Sequence, residues 1–493
     1  MSSLQLQNAL CLLKADGSWT AERRSLAITN GAIASLDSGA DYSDGAVEYV
    51  DAAGLLAVPG FINAHCHSPD NLARGSAPDL PLELWSLSSS AARESRSARE
   101  IYLSVLLGAI EMMGSGTTTV LDHVKISPDI DDDSLDAVAS AWRDSGMRVT
   151  IAPVVSDRAV VGTMPFKAGD FDGADLSTYG ARTPLSARDQ IASVERFYCR
   201  WNGAGEGRIR VAIGPSAPQR CSDELLVMAA DFSARHEMPL HMHVLETELQ
   251  RHMSHRLYGC GAIAHLESLG LLTPCTNLVH CIWIDDGDIG RIARCGASVI
   301  HNPVSNARLG SGTCRVPEII NAGITIGLGT DSACCNDGSN MLETMKWAAI
   351  VHNCGTTNEA DWLGPQRALT LATEGSAKAI GLHAMAGKIE PGYRADLALF
   401  RLASAPFVPL NDAVRQLVLS ETGASHALTI CNGQIIARNG APVLFDQATI
   451  WAETQELADR RKRDNASAFH ATHQLEIPIR RMRQRLVGGC VCH

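Results

Sequence analysis

Apolar and polar positions change period along this chain, and the change divides it. Residues 1–57 alternate over short runs, as half-buried strands do. Leu26–Thr29 and Ala32–Ala34 flank Asn30-Gly31, a dipeptide that favours a tight hairpin turn. The same grammar returns near the other end, where Ala427–Ile430 and Gln434–Ala437 flank Asn432-Gly433. Between these ends, apolar runs at 58–66, 117–124, 148–155, 208–215, 239–245, 276–283, 297–302 and 325–330 read as strands. Helix-period stretches lie between them, among them 100–114, 134–145, 222–236, 286–295 and 314–323. Strands alternating with helices predict a parallel sheet, and eight such units over more than about 250 residues predict an α/β fold closed as a (β/α)8 barrel of the TIM type.

The predicted organisation is a barrel at 58–384 inserted into a small β-sandwich built from both chain ends, 1–57 and 385–450. The turn Gly387–Gly392 and the run Ala395–Phe400 lead back into that sandwich. Residues 451–493 read as a helical extension. It carries a basic amphipathic segment, Arg480–Arg485, expected to lie on the surface or at a contact between subunits of a homo-oligomer. Residues 156–207 form a long connection with one helical piece at 187–200, either a cover for the barrel's upper face or a solvated insertion. The tail Cys490–His493 reads as a frayed terminus rather than a metal site.

Composition narrows the function. The chain has 493 residues, 45% of them hydrophobic, 19% charged and 5% aromatic, with 42 glycines. Those proportions suit a globular α/β enzyme with many tight strand–helix turns. A formal net charge of −12 without a broad basic stripe excludes the electrostatic footprint of nucleic-acid binding. No apolar run is long enough to span a bilayer, and the first residues lack the pattern of a signal peptide. Fifteen scattered cysteines without a repeating framework argue for reduced thiols in a cytoplasm.

Candidate chemistry gathers at the ends of the apolar runs. Val58-Pro-Gly-Phe-Ile-Asn-Ala-His65-Cys66-His67 is a strand that delivers two histidines, and alternation puts both on one face with Cys66 on the other. A lone His-x-His pair is a weak signal. Later strand ends supply partners: His243 and Glu246, His280, and Asp331. Histidine nitrogens and a carboxylate suit a hydrolytic zinc ion with a position left for water. In barrels of this type, catalytic residues sit at the C-terminal strand ends, where all of these lie.

These motifs resemble the amidohydrolase superfamily, in the branch of guanine, cytosine and adenosine-type deaminases and s-triazine hydrolases. Pro59–His67 resembles the family's first-strand signature, Gly116–Thr119 its second, His243–Thr247 its fifth, and His301–Asn306 with Gly329–Asp331 its last two. Gly387–Gly392 followed by Ala395–Leu397 is similar to its return into the sandwich. The resemblance covers nearly the whole chain. It implies that His65, His67, His243 and Asp331 hold one divalent metal, zinc first and Fe2+ as the alternative. It implies that Glu246, His280 and Asp331 carry the catalysis. Dinuclear relatives bridge two metals with a modified lysine on the third or fourth strand. The runs 148–155 and 208–215 contain no lysine, which favours a mononuclear site. The spacing His-x-x-Glu selects His243 over His241, which reads as a packed or supporting histidine.

The chemistry this implies is hydrolytic deamination of an amino-substituted nitrogen heterocycle, a purine, pterin, pyrimidine or triazine, with Glu246 as general acid. Alternatives keep the site but expel chloride, an alkylamine or an N-carbonyl amine, act on an adenosine- or S-adenosylhomocysteine-type nucleoside, or retain the barrel as a silent scaffold. The signature of the zinc-dependent cytidine-deaminase fold is missing. Candidate substrate contacts are Trp85, His123, Ser216, Gln219 and Arg220. Trp85 reads as an aromatic wall or a core residue, and His123, facing the upper rim, as a substrate contact or a satisfied rim histidine. Ser216 stands where nucleoside-deaminating relatives commonly carry histidine after Gly-Pro, which predicts a free heterocycle in preference to a nucleoside. A nucleophilic role for Cys334 or Cys335 is not expected, since activated water serves.

Overall fold

The computed structural model describes residues 3–37, 47–93, 96–171, 184–467 and 473–487. Strands fall where the alternation placed them. Ser18–Thr29 and Ala32–Leu36 form the first predicted hairpin, and His426–Cys431 with Gln434–Arg438 the second. Asn30 and Gly31 take positive φ angles of 52° and 77°, as the tight turn requires. A Cβ at Gly31 would lie 2.8 Å from the carbonyl oxygen of Asn432, so the two hairpin turns back directly onto one another.

Strands from both ends join one hydrogen-bonded sheet of nine strands, where two stacked sheets were expected. The long strand Ser3–Ala15 explains the difference. Its first half pairs in parallel with Val47–Asp51 and its second half with Leu55–Pro59, so it carries the ladder across what would otherwise be a gap. Leu397–Arg401 then pairs antiparallel with Leu55–Pro59.

The predicted run 58–66 is two strands. Leu55–Pro59 belongs to this sheet, and Phe61–Cys66 belongs to the central parallel array. Gly60 is the pivot: a Cβ there would lie 2.3 Å from the Thr118 side chain. Beside it, Arg148 on a central strand forms a buried ion pair with Asp396 at 2.9 Å. Asp396 also accepts from the backbone of Asn432 at 2.6 Å, which fastens the sheet to the array.

The central strands form two parallel sheets. One orders Gly214–Pro215, Arg148–Val155, Thr117–Val124 and Phe61–Cys66, with Ile209–Val211 also on Arg148–Val155. The other orders Leu240–Val244, Thr276–His280, Ser298–His301 and Ile326–Leu328. Single bridges at Ile213–Leu240 and Cys66–Asp331 join them, and among the described residues no continuous ladder closes the ring. Helices such as Ala98–Gly114, Asp132–Ser145, Asp223–His236 and Asp286–Cys295 occupy the predicted intervals. Each opens on a Ser or Asp whose side chain accepts a free first-turn N–H. This is a mixed α/β fold of the TIM-barrel type. Inside it, Ile62, Ala64, Leu121, Ala152, Ala212, Val279 and Ile300 pack as one apolar cluster beneath the histidines.

Among the described residues, the C-terminal extension carries the helices Gln447–Asp464 and Glu476–Val487. The second is not a free surface helix: Leu475, Ile479 and Met482 are fully buried against the rest of the fold. Every described cysteine is a free thiol, and Cys490–His493 lie outside the described residues. No helix of the described residues is long and apolar enough to cross a membrane.

Candidate active site

The strand ends need more than alternation to aim their side chains. Ile62 and Ala64 face the interior, so His65 would face outward on a regular strand. A bulge between Asn63 and Cys66 inserts one extra residue against Thr117–Val124 and turns His65 and His67 inward. Cys66 is left against Asp122, at 3.8 Å. Val279 also faces inward, and His280 is brought to the same side by a left-handed backbone, φ 74°. Asp331 and Leu245 take φ 65° and 50°. Non-glycine residues in this region are uncommon, and here they cluster where strands break into the upper loops. Asn63 fixes the last strand end: it donates to the Thr330 hydroxyl at 2.7 Å and accepts from the Thr330 backbone at 3.0 Å.

Donor atoms gather there in two sets that share His65: His65, His67, His123 and His243, and His65, His280 and Asp331, the atoms of each set within 4.8 Å of one another. His67 Nε2 and His243 Nε2 lie 3.2 Å apart, and Asp331 Oδ1 is 3.5 Å from Nε2 of both His65 and His67. The other nitrogen of each histidine is already engaged. His67 Nδ1 meets the carbonyl of His123 at 2.7 Å, His243 Nδ1 that of Ser216 at 2.7 Å, and His65 Nδ1 meets His241 Nε2 at 2.8 Å. Such partners fix the tautomer and leave Nε2 free as a ligand. His65 Nε2 is buried with no hydrogen-bond partner, an orphan that an ion would satisfy. Burial first, then neighbouring histidines, lowers His65 to about 4 and His243 to about 3, so both rings stay neutral. Burial alone would raise Asp331, but the imidazoles of His65, His280 and His67 facing it hold its carboxyl well below the usual range. Asp331 Oδ2 accepts from Ser305 at 2.8 Å. Three neutral imidazoles and a carboxylate with fixed orientations fit a divalent metal.

Glu246 and His280 sit beside this cluster, with Oε2 and Nε2 3.5 Å apart. His280 Nδ1 is held by Asn306 Oδ1 at 2.8 Å. Burial pushes Glu246 up to about 7; His280 opposes the shift, while Asp331 and Glu83 add to it. Cys335 is buried, and burial drives its thiol far above the ordinary value, which suits no nucleophile.

A cavity of about 210 Å³ opens above the cluster. It is lined by His67, His243, Glu246, His280 and Asp331, and by the predicted Trp85, Ser216, Gln219 and Arg220. Trp85 is a wall residue with a fixed ring: its indole N–H donates to the Cys334 carbonyl at 2.9 Å. Arg220 Nη1 is shut off from solvent and has no hydrogen-bond partner, and burial lowers its guanidinium to about 10. Val160, Thr163 and Met164 also line the cavity, so this part of the 156–207 connection covers the site; residues 172–183 lie outside the described residues.

His123 departs from its expected place. It is fully buried, packs its ring on His65, His67, His241 and His243, and turns Nε2 to the Gly214 carbonyl at 3.2 Å. It lies among the candidate ligands rather than on the cavity's lining, because the four imidazoles packed round it and its contact with the Gly214 carbonyl hold the ring away from the open space. Sequence reasoning passed over Glu83, a buried carboxylate on the lining, and Asn306, which holds His280. The signal for Glu83 was a lone carboxylate inside the apolar run Leu82–Trp85.

Known proteins share this arrangement's sequence and fold. The profile of the Amidohydrolase family matches residues 56–436. The chain is 29% identical over 460 residues to a 5'-deoxyadenosine deaminase of Methanosarcina mazei, covering 93% of this chain and 98% of that one. It is 34% identical over 390 residues to a 5-methylthioadenosine/S-adenosylhomocysteine deaminase of Thermococcus kodakarensis, covering 78% and 84%. The crystal structure of an atrazine chlorohydrolase from Arthrobacter aurescens, complexed with zinc, matches with a TM-score of 0.83 at 25% identity, over 92% of this chain and 100% of that one. With its profile spanning the central array and the strands that return to the outer sheet, the chain belongs to the amidohydrolase family.

Proposed function

We propose that this chain is a metal-dependent aminohydrolase that replaces the exocyclic amino group of a nitrogen heterocycle with oxygen and releases ammonia. The observation that carries the reading is the convergence of His65, His67, His243 and Asp331 beneath a cavity whose wall holds Glu246 near neutrality. The ion, when bound, supplies Lewis-acid activation of water at neutral pH. We assign it to zinc, in a single site. Asp331, anchored through Oδ2 by Ser305, accepts the proton of the attacking water. Glu246 in its acid form protonates the ring nitrogen beside the attacked carbon. His280, steadied by Asn306, faces both carboxylates and orients the attacked centre. Asp331 passes its proton to the amino group, which leaves as ammonia, and the hydroxyl proton goes to Glu246 as the carbonyl forms, so both carboxyl groups return to their starting states. The loop residues over the cavity and Trp85 restrict the entry of bulk water.

We read the two parallel sheets as one (β/α)8 barrel joined through the single bridges; its start, expected at 58, shifts to Gly60 because Val58 and Pro59 pair in the outer sheet, its end stays at 384, and strands from both chain ends make up the outer sheet. Free thiols scattered through the chain support a reducing cytoplasm.

For the substrate, the replacement of histidine by Ser216 favours a compact free heterocycle. A second reading, an adenosine-type nucleoside, is favoured by the names of the relatives and by polar wall residues Glu83, Gln219 and Arg220 available to a sugar or its 5' substituent. Ammonia release from zinc-loaded protein, compared across free purines, pterins, triazines, adenosine and 5'-deoxyadenosine, tests both. Higher kcat/KM for a free base is the outcome expected from Ser216. A nucleoside as best substrate would overturn that step while leaving the aminohydrolase assignment intact, and no ammonia from any member would reject the assignment.

A further inference from the structure

The C-terminal helix Glu476–Val487 lies more than 100 residues beyond the last strand of the central array, yet it is built into the candidate active site. Its apolar residues Ile479 and Met482, with Leu475 before it, pack against Leu84, Leu87, Leu249 and Met253. Leu249 and Met253 also line the cavity, as does Met164, a partner in the same cluster. The same side chains therefore face substrate space on one side and this helix on the other. Polar contacts follow the same course. Arg485 donates to Asp170 Oδ2 at 2.6 Å and to the Pro165 carbonyl at 2.9 Å, which ties down the segment that covers the cavity.

Arg483 makes the contact with consequences for the reaction. Its Nε lies 3.2 Å from Oε2 of Glu83, a buried carboxylate on the cavity lining. Glu83 Oε1 accepts from the Thr247 hydroxyl at 2.7 Å, and Thr247 adjoins Glu246. The Arg483 contact is an ion pair without hydrogen-bond alignment, so Oε2 retains an unfilled acceptor. A buried carboxylate that loses its counter-charge either takes up a proton or moves toward water. Both would change the wall that carries Trp85, two residues along the same helix.

Resting on the cavity being the substrate pocket, we propose that Arg483 is a positioning residue that holds Glu83 in place, and that the C-terminal helix backs the pocket wall that determines specificity. The test uses full-length, zinc-loaded protein with Arg483→Met, Arg483→Lys, Glu83→Gln and the Arg483→Met/Glu83→Gln double variant, assayed with adenosine and adenine. Arg483→Met should raise KM for the purine turned over by about tenfold, with kcat within about twofold and zinc content unchanged. Arg483→Lys should recover part of the loss, since a cation is restored without the planar fork. Unchanged KM, or kcat and zinc content falling together, would overturn the proposal. If wild-type protein deaminates neither purine, melting temperatures of the four variants decide. A double variant less destabilised than the two single losses combined, by more than about 2 °C, supports the positioning pair, and additive losses overturn it.

Discussion

Replacing Glu246 with Gln separates proton transfer from binding and folding. The two side chains match in size, but the amide cannot donate a carboxylic proton. The structure gives the expected size of the effect. A carboxyl at its ordinary value of 4.5 would be protonated in about one molecule in three hundred at pH 7, whereas one raised to about 7 is protonated in about half. Burial thus raises the population of the working acid on the order of a hundredfold, within the about 10²–10⁴-fold range of general acid catalysis. Glu246→Gln should therefore lower kcat by roughly 10²-fold or more, with zinc content and melting temperature preserved. In the wild type, turnover should decline as pH rises through the Glu246 value. A bound dication favours the carboxylate, so that limb lies at or below about pH 7. Stability of the metal-free protein carries the same signature. The folded state binds more protons than the unfolded one between about 4.5 and 7, so Glu246 contributes stability that is lost as pH rises across that window. The variant should lack this slope. Ammonia release across pH, with calorimetry on metal-free samples, is the assay. Turnover within about threefold of wild type would remove Glu246 from the proton-transfer role.

Elemental analysis should find about one equivalent of divalent metal per chain, because the candidate donors gather in one place. His67→Ala should strip the metal while Cys66→Ala retains it, since the Cys66 thiol lies against Asp122; two tightly held ions would reject the mononuclear site. Arg148→Met should destabilise the protein by about 3–5 kcal/mol in denaturant unfolding, because it leaves Asp396 buried without its cation. A loss below about 1 kcal/mol would mean that the backbone donors to Asp396 suffice without Arg148.

Much of this candidate site was legible in the residue pattern, because the candidate ligands lie at strand ends and strand ends are marked by a change of period. His65, His67, His243, Glu246, His280 and Asp331 all reach one cluster. What the pattern does not contain is the aim of those side chains. Strict alternation from the inward-facing Ile62 and Ala64 would turn His65 outward, and only the bulge between Asn63 and Cys66 corrects it. From Val279, alternation would likewise turn His280 outward, and a left-handed backbone brings it in. Depth was equally hidden: alternation puts Leu121 and His123 on one face, but it does not show that His123 sits among the candidate ligands and off the cavity lining. The pocket wall was the least legible part. The Glu83–Arg483 pair joins residues 400 positions apart, and the basic run Arg480–Arg485 has the composition of a solvated surface. Its apolar positions, Ile479 and Met482, lie three apart on one helical face, as a docked helix requires. They were outnumbered by arginines, two of which are spent on buried or nearly buried carboxylates, Glu83 and Asp170. A charge count treats those arginines as facing water, whereas the fold pairs one with a carboxylate on the cavity lining and the other with the segment that covers the cavity.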